Sequence, residues 1–182
     1  MPREIRFAEK GDAAAIQRIY APYVKNSAIS FETDPPSVRE MEKRIEHIGS
    51  TYPWLVYETD GRLVGYAYAS HHHERPAYRW SVDCTVYVDA GFHGRGIGRE
   101  LYHALTRLTA VLGYYNAFAG ITLPNDRSIR LHRDVGFIHV GTYRNAGFKL
   151  GRWHDVSHWQ LELNPCLQEP EEPKSIREIE EL

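Results

Sequence analysis

The sequence predicts an α+β (mixed α/β) fold built on one mostly antiparallel sheet flanked by helices, and two observations lead to this prediction. The first is a pair of strand-like runs, residues 54–57 and 63–68, on either side of Asp60-Gly61, a strong signal for an antiparallel hairpin. The second is a strand, a glycine loop and a helix in succession over residues 82–112, which begin a β-α-β crossover. Meander strands followed by such a crossover are typical of α+β domains.

The other elements follow from apolar spacing and from residues that begin or end helices. Ser37 and Glu40 form a capping box ahead of a helical stripe, Asn125 or Asp126 caps a later helix, and Gly136 ends it. The predicted elements, in chain order, are β1 at 5–7, α1 at 12–23, α2 at 38–48, β2 at 54–57, β3 at 63–68, β4 at 82–88, α3 at 98–112, β5 at 117–123, α4 at 125–135, β6 at 137–143 and β7 at 153–163.

Composition bounds the kind of protein. A chain of 182 residues with a formal net charge of -2 has the length of one domain. It carries no Lys/Arg cluster, so nucleic acid and anionic membranes are not the expected partners. No apolar run reaches membrane-spanning length and no signal peptide is recognisable, so we expect a cytoplasmic protein. Cys84 and Cys166 suit neither a disulfide framework nor a metal site.

The chain divides at its acidic, proline-rich end. Residues 1–164 are predicted to form the domain, and residues 165–182, with the run Glu169-Pro170-Glu171-Glu172-Pro173, a mobile extension. The alternative is a short docked helix that uses Ile176, Ile179 and Leu182.

The glycine loop after β4 is the first candidate for function. Gly94, Gly96 and Gly98 lack Cβ atoms, so backbone N–H groups can approach an anion, and the helix that follows adds unpaired donors and the positive end of its dipole. A pyrophosphate suits such a loop, although a tight turn alone would also use glycines. A dinucleotide fold is disfavoured because the loop lies in mid-chain rather than after the first strand.

With its flanking residues the loop, His93-Gly94-Arg95-Gly96-Ile97-Gly98, resembles the acetyl-CoA loop of the GCN5-related N-acetyltransferases, whose pattern is Gln/Arg-x-x-Gly-x-Gly/Ala. The departure is His93 where Gln or Arg is usual. The order of elements is also that of this family, whose sheet is splayed between β4 and β5. The resemblance implies acetyl-CoA as co-substrate and no metal.

Other motifs resemble the phosphinothricin and methionine sulfoximine N-acetyltransferases within that family. They are Tyr52-Pro53-Trp54-Leu55-Val56, Thr85-Val86-Tyr87-Val88, Leu123-Pro124-Asn125-Asp126, Ala146-Gly147-Phe148-Lys149 and Gly151-Arg152-Trp153-His154-Asp155-Val156. The resemblance implies direct transfer of acetyl to the α-amine of phosphinothricin, methionine sulfoximine, methionine sulfone or a similar amino acid. It also implies a homodimer, with the β6 and β7 region as a plausible contact.

Two residues are the catalytic candidates. An acceptor ammonium must lose a proton before it attacks, and Asp83 on β4 is placed to accept it, where the family usually carries Glu. His132 on α4 stands where many relatives have Tyr and phosphinothricin-type enzymes have His, so it is expected to protonate the leaving sulfur or to accept the amine proton. Sequence does not separate acid from base. The structural alternatives are a strand-end Asp and a hydrogen-bonded core His.

The expected contacts with acetyl-CoA follow from the same resemblance. The backbone of Val86, Tyr87 and Val88 would face the thioester oxygen and Asn125 would contact the cofactor. The pyrophosphate would lie on a single stretch of the loop, Gly94, Arg95, Gly96, Ile97, Gly98 and Arg99. Arg95 could instead be solvated.

An amino-acid acceptor carries a carboxylate, so a cation should face its pocket. Arg75, or else Arg79, is the candidate, and a solvated loop charge is the alternative. The full set expected around the acceptor is His73, Glu74, Arg75, Asp83, Cys84 and Thr85. Phe31, in the loop of residues 26–36, lines this pocket or merely covers core. The adjacent His71-His72-His73 cannot easily converge on one metal ion.

Three alternatives to the leading hypothesis remain. The enzyme could acetylate a protein N-terminus or a polyamine, although a polyamine site should be strongly acidic and lack Arg75. Cys84 could accept the acetyl group first. The chain could also bind acetyl-CoA without turnover, but a pure binder needs neither Asp83 nor His132.

Overall fold

The computed structural model describes residues 3–180 and confirms the predicted fold class. Its centre is one seven-stranded sheet in the order β1-β2-β3-β4-β5-β7-β6, in which β4 and β5 form the single parallel pair. The helices and strands are β1 Arg3–Phe7, α1 Ala13–Asn26, α2 Val38–Gly49, β2 Trp54–Thr59, β3 Arg62–His71, β4 Ser81–Val88, α3 Ile97–Val111, β5 Asn116–Thr122, α4 Asp126–Val135, β6 Ile138–Lys149, β7 Arg152–Glu162 and α5 Arg177–Glu180.

Three local signals place element boundaries where the sequence indicates them, whereas β6 runs to Lys149, six residues past its predicted end. Asp60 and Gly61 both have positive φ, 54° and 70°, so they form the two central residues of a tight β2–β3 turn whose twist matches the strands. The Ser37 side chain accepts a hydrogen bond from the Glu40 N–H at the start of α2. Asn125 caps α4 in the same way, and Gly136 ends it in the left-handed conformation.

Two hydrophobic clusters cover the two faces of the sheet. Leu101, Tyr102 and Leu105 of α3 are at most 1% exposed and pack with inward residues of β4 and β5 such as Val82 and Ala117. On the other face α1 and α2 pack over β2 and β3. Neighbouring residues of a strand point to opposite faces, so the side chains of β4 alternate between these two environments. Within residues 3–180 no helix combines the length and apolarity needed to cross a bilayer.

The sheet opens between β4 and β5. Their parallel register runs from Ser81 opposite Asn116 only as far as Asp83 opposite Phe118, although β4 continues to Val88 and β5 to Thr122. Beyond Asp83 the two strands diverge. The unpaired edges leave a gap in the middle of the sheet, which is the splay that the family resemblance implied.

The acidic end of the chain lies against the domain. The Trp80 indole N–H donates to the Glu171 carbonyl at 2.7 Å, and the Lys174 and Ile176 N–H groups donate to Leu112 and Thr51 carbonyls. Ile176 is 3% exposed within the α3-side cluster. We expected mobility for residues 165–182, whereas these contacts describe a docked segment. The boundary at residue 164 stays a prediction, and the Ile179 side chain and Leu182 lie outside the described residues.

Docking of this segment has a measurable consequence. Ile176→Ala should lower the free energy of unfolding by about 2 kcal/mol or more, because it leaves a cavity in the core. Urea unfolding followed by circular dichroism would measure it. The matched control is Leu167→Ala, since Leu167 is 61% exposed in the same segment and its loss should change stability by less than about 0.5 kcal/mol. Equal stability of the two variants would show that the segment is not docked in solution.

Candidate active site

The glycine loop forms a cradle at the start of α3. Gly94 and Gly96 have φ of 78° and 82°, a conformation that side chains rarely adopt, and no other atom lies within 4 Å of where a Gly94 Cβ would be. Gly98 has a different role, because its Cβ would come within 3.1 Å of Leu131 where α3 packs on α4. A cleft of about 390 Å³ lies over the loop and is lined by Arg99, Arg127 and Arg130 among others. Backbone donors and cations in one cleft suit a pyrophosphate.

His93, the departure from the family pattern, ties this loop to two helices. Its Nε2 lies 2.8 Å from the Tyr23 hydroxyl and 2.9 Å from the Val88 carbonyl, and its Nδ1 contacts the Arg127 guanidinium. Burial lowers the pKa of His93, so a neutral ring is favoured. His93 therefore helps to position the loop, and the glycine cradle itself is unchanged.

The open edge of β4 presents backbone donors to the gap in the sheet. The Asp89 N–H donates to the Val64 carbonyl, and Gly65 lies opposite Val88, so the polar backbone groups of Val88 point away from β3. By alternation those of Val86 do the same, and both residues line the gap. Tyr87, predicted as a third contact, directs its backbone groups to β3.

His132 lies at the bottom of the gap, 3% exposed, and pairs with a residue that sequence reasoning missed. Its Nδ1 is 2.7 Å from the Ser128 carbonyl and its Nε2 is 2.9 Å from the Tyr102 hydroxyl. In the neutral ring the first nitrogen donates and the second accepts from Tyr102. Burial lowers the pKa of His132 and favours this neutral form. Both residues line a cavity of about 100 Å³ at the splay.

Cys84 is a buried thiol and not a ready nucleophile. It is 4% exposed within the α3-side cluster, and burial raises its pKa far above that of a free thiol. The thiolate needed for covalent acetylation is therefore disfavoured. Its neighbour Thr85 points to the opposite face, the face that α1 and α2 cover.

Asp83 shares that opposite face and has a partner of its own. Its carboxylate Oδ1 is 2.7 Å from Nδ1 of His72, the middle residue of the three adjacent histidines. Burial raises the pKa of Asp83, and the hydrogen bond and charge of His72 oppose that rise. Since Asp83 and Cys84 are adjacent in β4, Asp83 and His132 lie on opposite sides of the sheet, and no hydrogen bond joins the two.

The loop predicted to bind the acceptor lies at the mouth of this face. The side chains of His73, Glu74 and Arg75 are exposed, and Arg75 has no ion-pair partner among the described residues. Arg79, the other cationic candidate, pairs with Glu172 at 2.5 Å and so belongs to the docked chain end. In the described part of the chain, no three His, Cys, Asp or Glu side chains are grouped as a metal site would require.

The loop of residues 26–36 is anchored by a buried lysine. Lys149 Nζ donates to the Val24 and Ser30 carbonyls at 2.7 and 2.6 Å, and desolvation lowers its pKa. Phe31 lies against Gly147, where a Cβ would come within 2.3 Å of the ring. These contacts explain two residues of the motif Ala146-Gly147-Phe148-Lys149. Phe31 remains 41% exposed, so it covers the hairpin without being core.

Comparison with known proteins shows the family of the chain. Residues 5–159 match the family model for an acetyltransferase (GNAT) domain. A phosphinothricin N-acetyltransferase of Streptomyces viridochromogenes is 38% identical over 181 residues, which cover 100% of this chain and 97% of that protein. An L-methionine sulfoximine/L-methionine sulfone acetyltransferase of Salmonella typhimurium is 34% identical over 163 residues, covering 88% and 94% of the two chains.

A solved structure gives the same result in three dimensions. The crystal structure of a GNAT superfamily phosphinothricin acetyltransferase from Sinorhizobium meliloti, in complex with acetyl-CoA, superposes with a TM-score of 0.90. It is 36% identical and the match covers 96% of each chain. The family resemblance drawn from the motifs is therefore confirmed.

The neutral, buried state of His132 predicts a dependence of stability on pH. Its pKa is lowered in the fold from a usual 6.5, so the unfolded chain binds more protons and stability falls as pH drops below that value. When the pH is lowered from about 7.5 to about 5.5, the free energy of unfolding of His132→Gln should fall by about 1 kcal/mol less than that of the wild type. Urea unfolding at the two pH values measures this change.

The matched control for this prediction is His103→Gln, because His103 is exposed on α3. That variant should keep the pH dependence of the wild type. An unchanged dependence in His132→Gln would mean that His132 is protonated as readily in the folded protein as in the unfolded chain.

Proposed function

The chain belongs to the GNAT family of acetyltransferases, and from this premise we propose that it moves acetyl from acetyl-CoA to the α-amine of a small amino acid. L-phosphinothricin, L-methionine sulfoximine and methionine sulfone are the proposed acceptors. The observation that carries this proposal is the juxtaposition of the anion cradle with the gap between β4 and β5, which has Asp83 on one face and His132 on the other. Relatives named for these acceptors match nearly the whole chain.

Acetyl-CoA fits the residues that line the cleft. Gly94 to Arg99 would hold its pyrophosphate, Asn125 would contact it from α4, and Arg127 and Arg130 add cations that the motif does not contain. When bound it supplies a thioester carbonyl that an amine can attack. The N–H groups of Val86 and Val88 are directed into the gap, where they can donate to an oxygen that gains negative charge.

The two proton transfers of the proposed reaction would take place on opposite faces of the sheet. Asp83, with its partner His72, faces the side that the acceptor loop borders and would accept the ammonium proton. His132 and Tyr102 line the cavity on the other side and would return a proton to the leaving sulfur. The buried thiol of Cys84 favours direct attack over an acetylated enzyme.

The charge around the mouth favours an anionic acceptor. Arg75 is exposed beside the Asp83 face and can pair with the acceptor carboxylate or its phosphinate. Its presence disfavours a polyamine, whose site would be strongly acidic. Acetylation of a protein N-terminus is the second candidate, because an exposed mouth also admits a peptide. The cytoplasm is the proposed location, since both cysteines are free thiols.

We infer further that the chain forms a homodimer through β6 and β7. These two strands and their turn expose large apolar side chains, which is unusual for a free surface. The exposed apolar residues there are Ile138, Val140, Tyr143, Phe148, Leu150 and Trp153. The Phe148 and Trp153 rings lie 5.5 Å apart across the hairpin and form its centre. Since β6 is a sheet edge, a second copy would also cover an unpaired strand.

Activity is tested by release of CoA thiol from acetyl-CoA with purified protein and a panel of acceptors. The three proposed acceptors should turn over saturably, while spermidine and an N-terminal peptide should not. Asp83→Asn should lower kcat about 100-fold, because it removes a general base or its support. Turnover on the peptide or spermidine alone would reject the acceptor class. Acetyl-CoA binding without turnover on any acceptor would favour a binding module.

The dimer is tested by sedimentation velocity. Trp153→Glu should weaken self-association by roughly 100-fold, because a charge at the centre of an apolar contact costs at least about 2 kcal/mol. Leu167→Glu is the matched control, since Leu167 is equally exposed but lies outside the hairpin. A wild-type monomer at micromolar concentration would reject the dimer.

A further inference from the structure

The His72–Asp83 pair is more than a loop contact, because the histidine ring is fixed on three sides. His72 directly follows β3, and its ring stacks on Phe118 of β5 at 4.3 Å and 13°. The Tyr78 ring meets it edge-on at 5.9 Å, and the His73 ring lies at 4.1 Å. The side chain of His72 is only 17% exposed. A ring held in this way keeps one orientation toward the Asp83 carboxylate.

The hydrogen bond decides which ring nitrogen is basic. An ionised Asp83 can only accept, so Nδ1 of His72 carries the proton and Nε2 keeps its lone pair. Nε2 has no hydrogen-bond partner among residues 3–180, and it is not one of the fully buried polar atoms that lack a partner. The same arrangement, in which a carboxylate accepts from Nδ1–H and Nε2 is free, is typical of histidines that act as general bases.

The other histidines near the gap lack this arrangement. Both nitrogens of His132 are occupied, and it lies beyond the sheet from the acceptor loop. His158 on β7 has a buried Nε2 without a partner, but that atom has no surface from which to reach an acceptor. His73 is exposed and makes no hydrogen bond to Asp83. His72 therefore combines a free nitrogen, a fixed ring and a carboxylate partner.

We propose that His72 is a catalytic residue whose Nε2 accepts the proton of the acceptor ammonium, directly or through one water, while Asp83 holds the ring and balances its charge. In this step the ammonium N–H bond breaks and an N–H bond forms on Nε2. The neutral amine then forms the C–N bond as the C–S bond of the thioester breaks. The sulfur leaves with the bonding electron pair and takes a proton from the Tyr102–His132 pair, which receives the second amine proton in its place. The imidazolium returns its own proton to solvent.

This assignment rests on the proposed acetyl transfer and changes the role of Asp83 within it. A carboxylate that accepts from Nδ1–H is a positioning group, and the base that meets the acceptor is the imidazole. The shorter side chain of Asp83 then needs no contact with the acceptor. The titratable groups facing His72 are Asp83 from β4, His158 from β7, and His73 and Tyr78 from its own loop. Their protonation must be followed in the same experiments.

The kinetic test compares His72→Gln with His71→Gln, at a neighbouring exposed histidine that lacks the bond to Asp83 and lies outside the expected acceptor set. We expect His72→Gln to lower kcat about 100-fold or more with less than about a threefold change in the KM of the acceptor, because a general base acts on the chemical step. The acidic limb of its kcat/KM profile should move or vanish. His71→Gln should keep kcat within about threefold and keep the limb.

Two folding controls and one rescue variant accompany the kinetic test. Acetyl-CoA binding and thermal unfolding confirm that each variant is folded. His72→Gln/Asp83→Glu should regain part of the lost kcat, since a carboxylate one methylene longer can itself approach the acceptor. An unchanged kcat and pH limb in His72→Gln, or an equal loss in His71→Gln, would overturn the proposal.

A second measurement needs neither a variant nor an acceptor. Long-range ¹H–¹⁵N NMR of histidine-labelled wild-type protein should show the neutral His72 ring as the Nδ1–H tautomer. An Nε2–H tautomer would overturn the proposal even if turnover is found. Absence of wild-type turnover on every acceptor would instead reject the proposed function, and the tautomer would still be measurable, so the two failures are distinguishable.

Discussion

The end of the β4–β5 pairing at Asp83 is the constraint on which the rest of the site depends. Up to that residue the two strands share a parallel ladder, and beyond it their edges are free. A gap in a sheet would normally leave polar backbone groups without partners. Here the gap is bordered by α3 and α4, and the Tyr23 hydroxyl donates to the Val88 carbonyl, which points away from β3. The Val86 N–H remains free for a substrate oxygen.

The gap also explains why the catalytic candidates are separated. Alternation along β4 sends Asp83 to one face and Cys84 to the other, and His132 belongs to the face of Cys84. An acceptor that enters on the Asp83 side and an acyl donor that enters along the gap meet only where the sheet is open. In the proposed mechanism, proton removal and proton return therefore take place on different sides of one sheet.

Buried polar groups hold the surrounding segments in place. Lys149 binds the Val24 carbonyl of α1 and the Ser30 carbonyl next to Phe31, and His93 joins the glycine loop to α1 and α4. Burial lowers the pKa of each of these two side chains. Such groups are costly to bury unless they are hydrogen-bonded, and these bonds compensate for the loss of water while they fix the geometry of the cleft.

Periodicity, turn residues and caps determined the element order and the β2–β3 hairpin, because these signals act over a few neighbouring residues. The glycine cradle and the family were indicated by the resemblance of short motifs. The identities of Asp83 and His132 as candidates also came from sequence. Only the tertiary structure decided that His72 pairs with Asp83, that Tyr102 pairs with His132, and that Ile176 returns to the core. His72 and Asp83 are 11 residues apart, and Tyr102 and His132 are 30 residues apart. The segment that carries Ile176 is more than 60 residues from Leu112, whose carbonyl accepts from the Lys174 N–H. No local pattern encodes such pairings, since they depend on which strands become neighbours and on where the sheet opens.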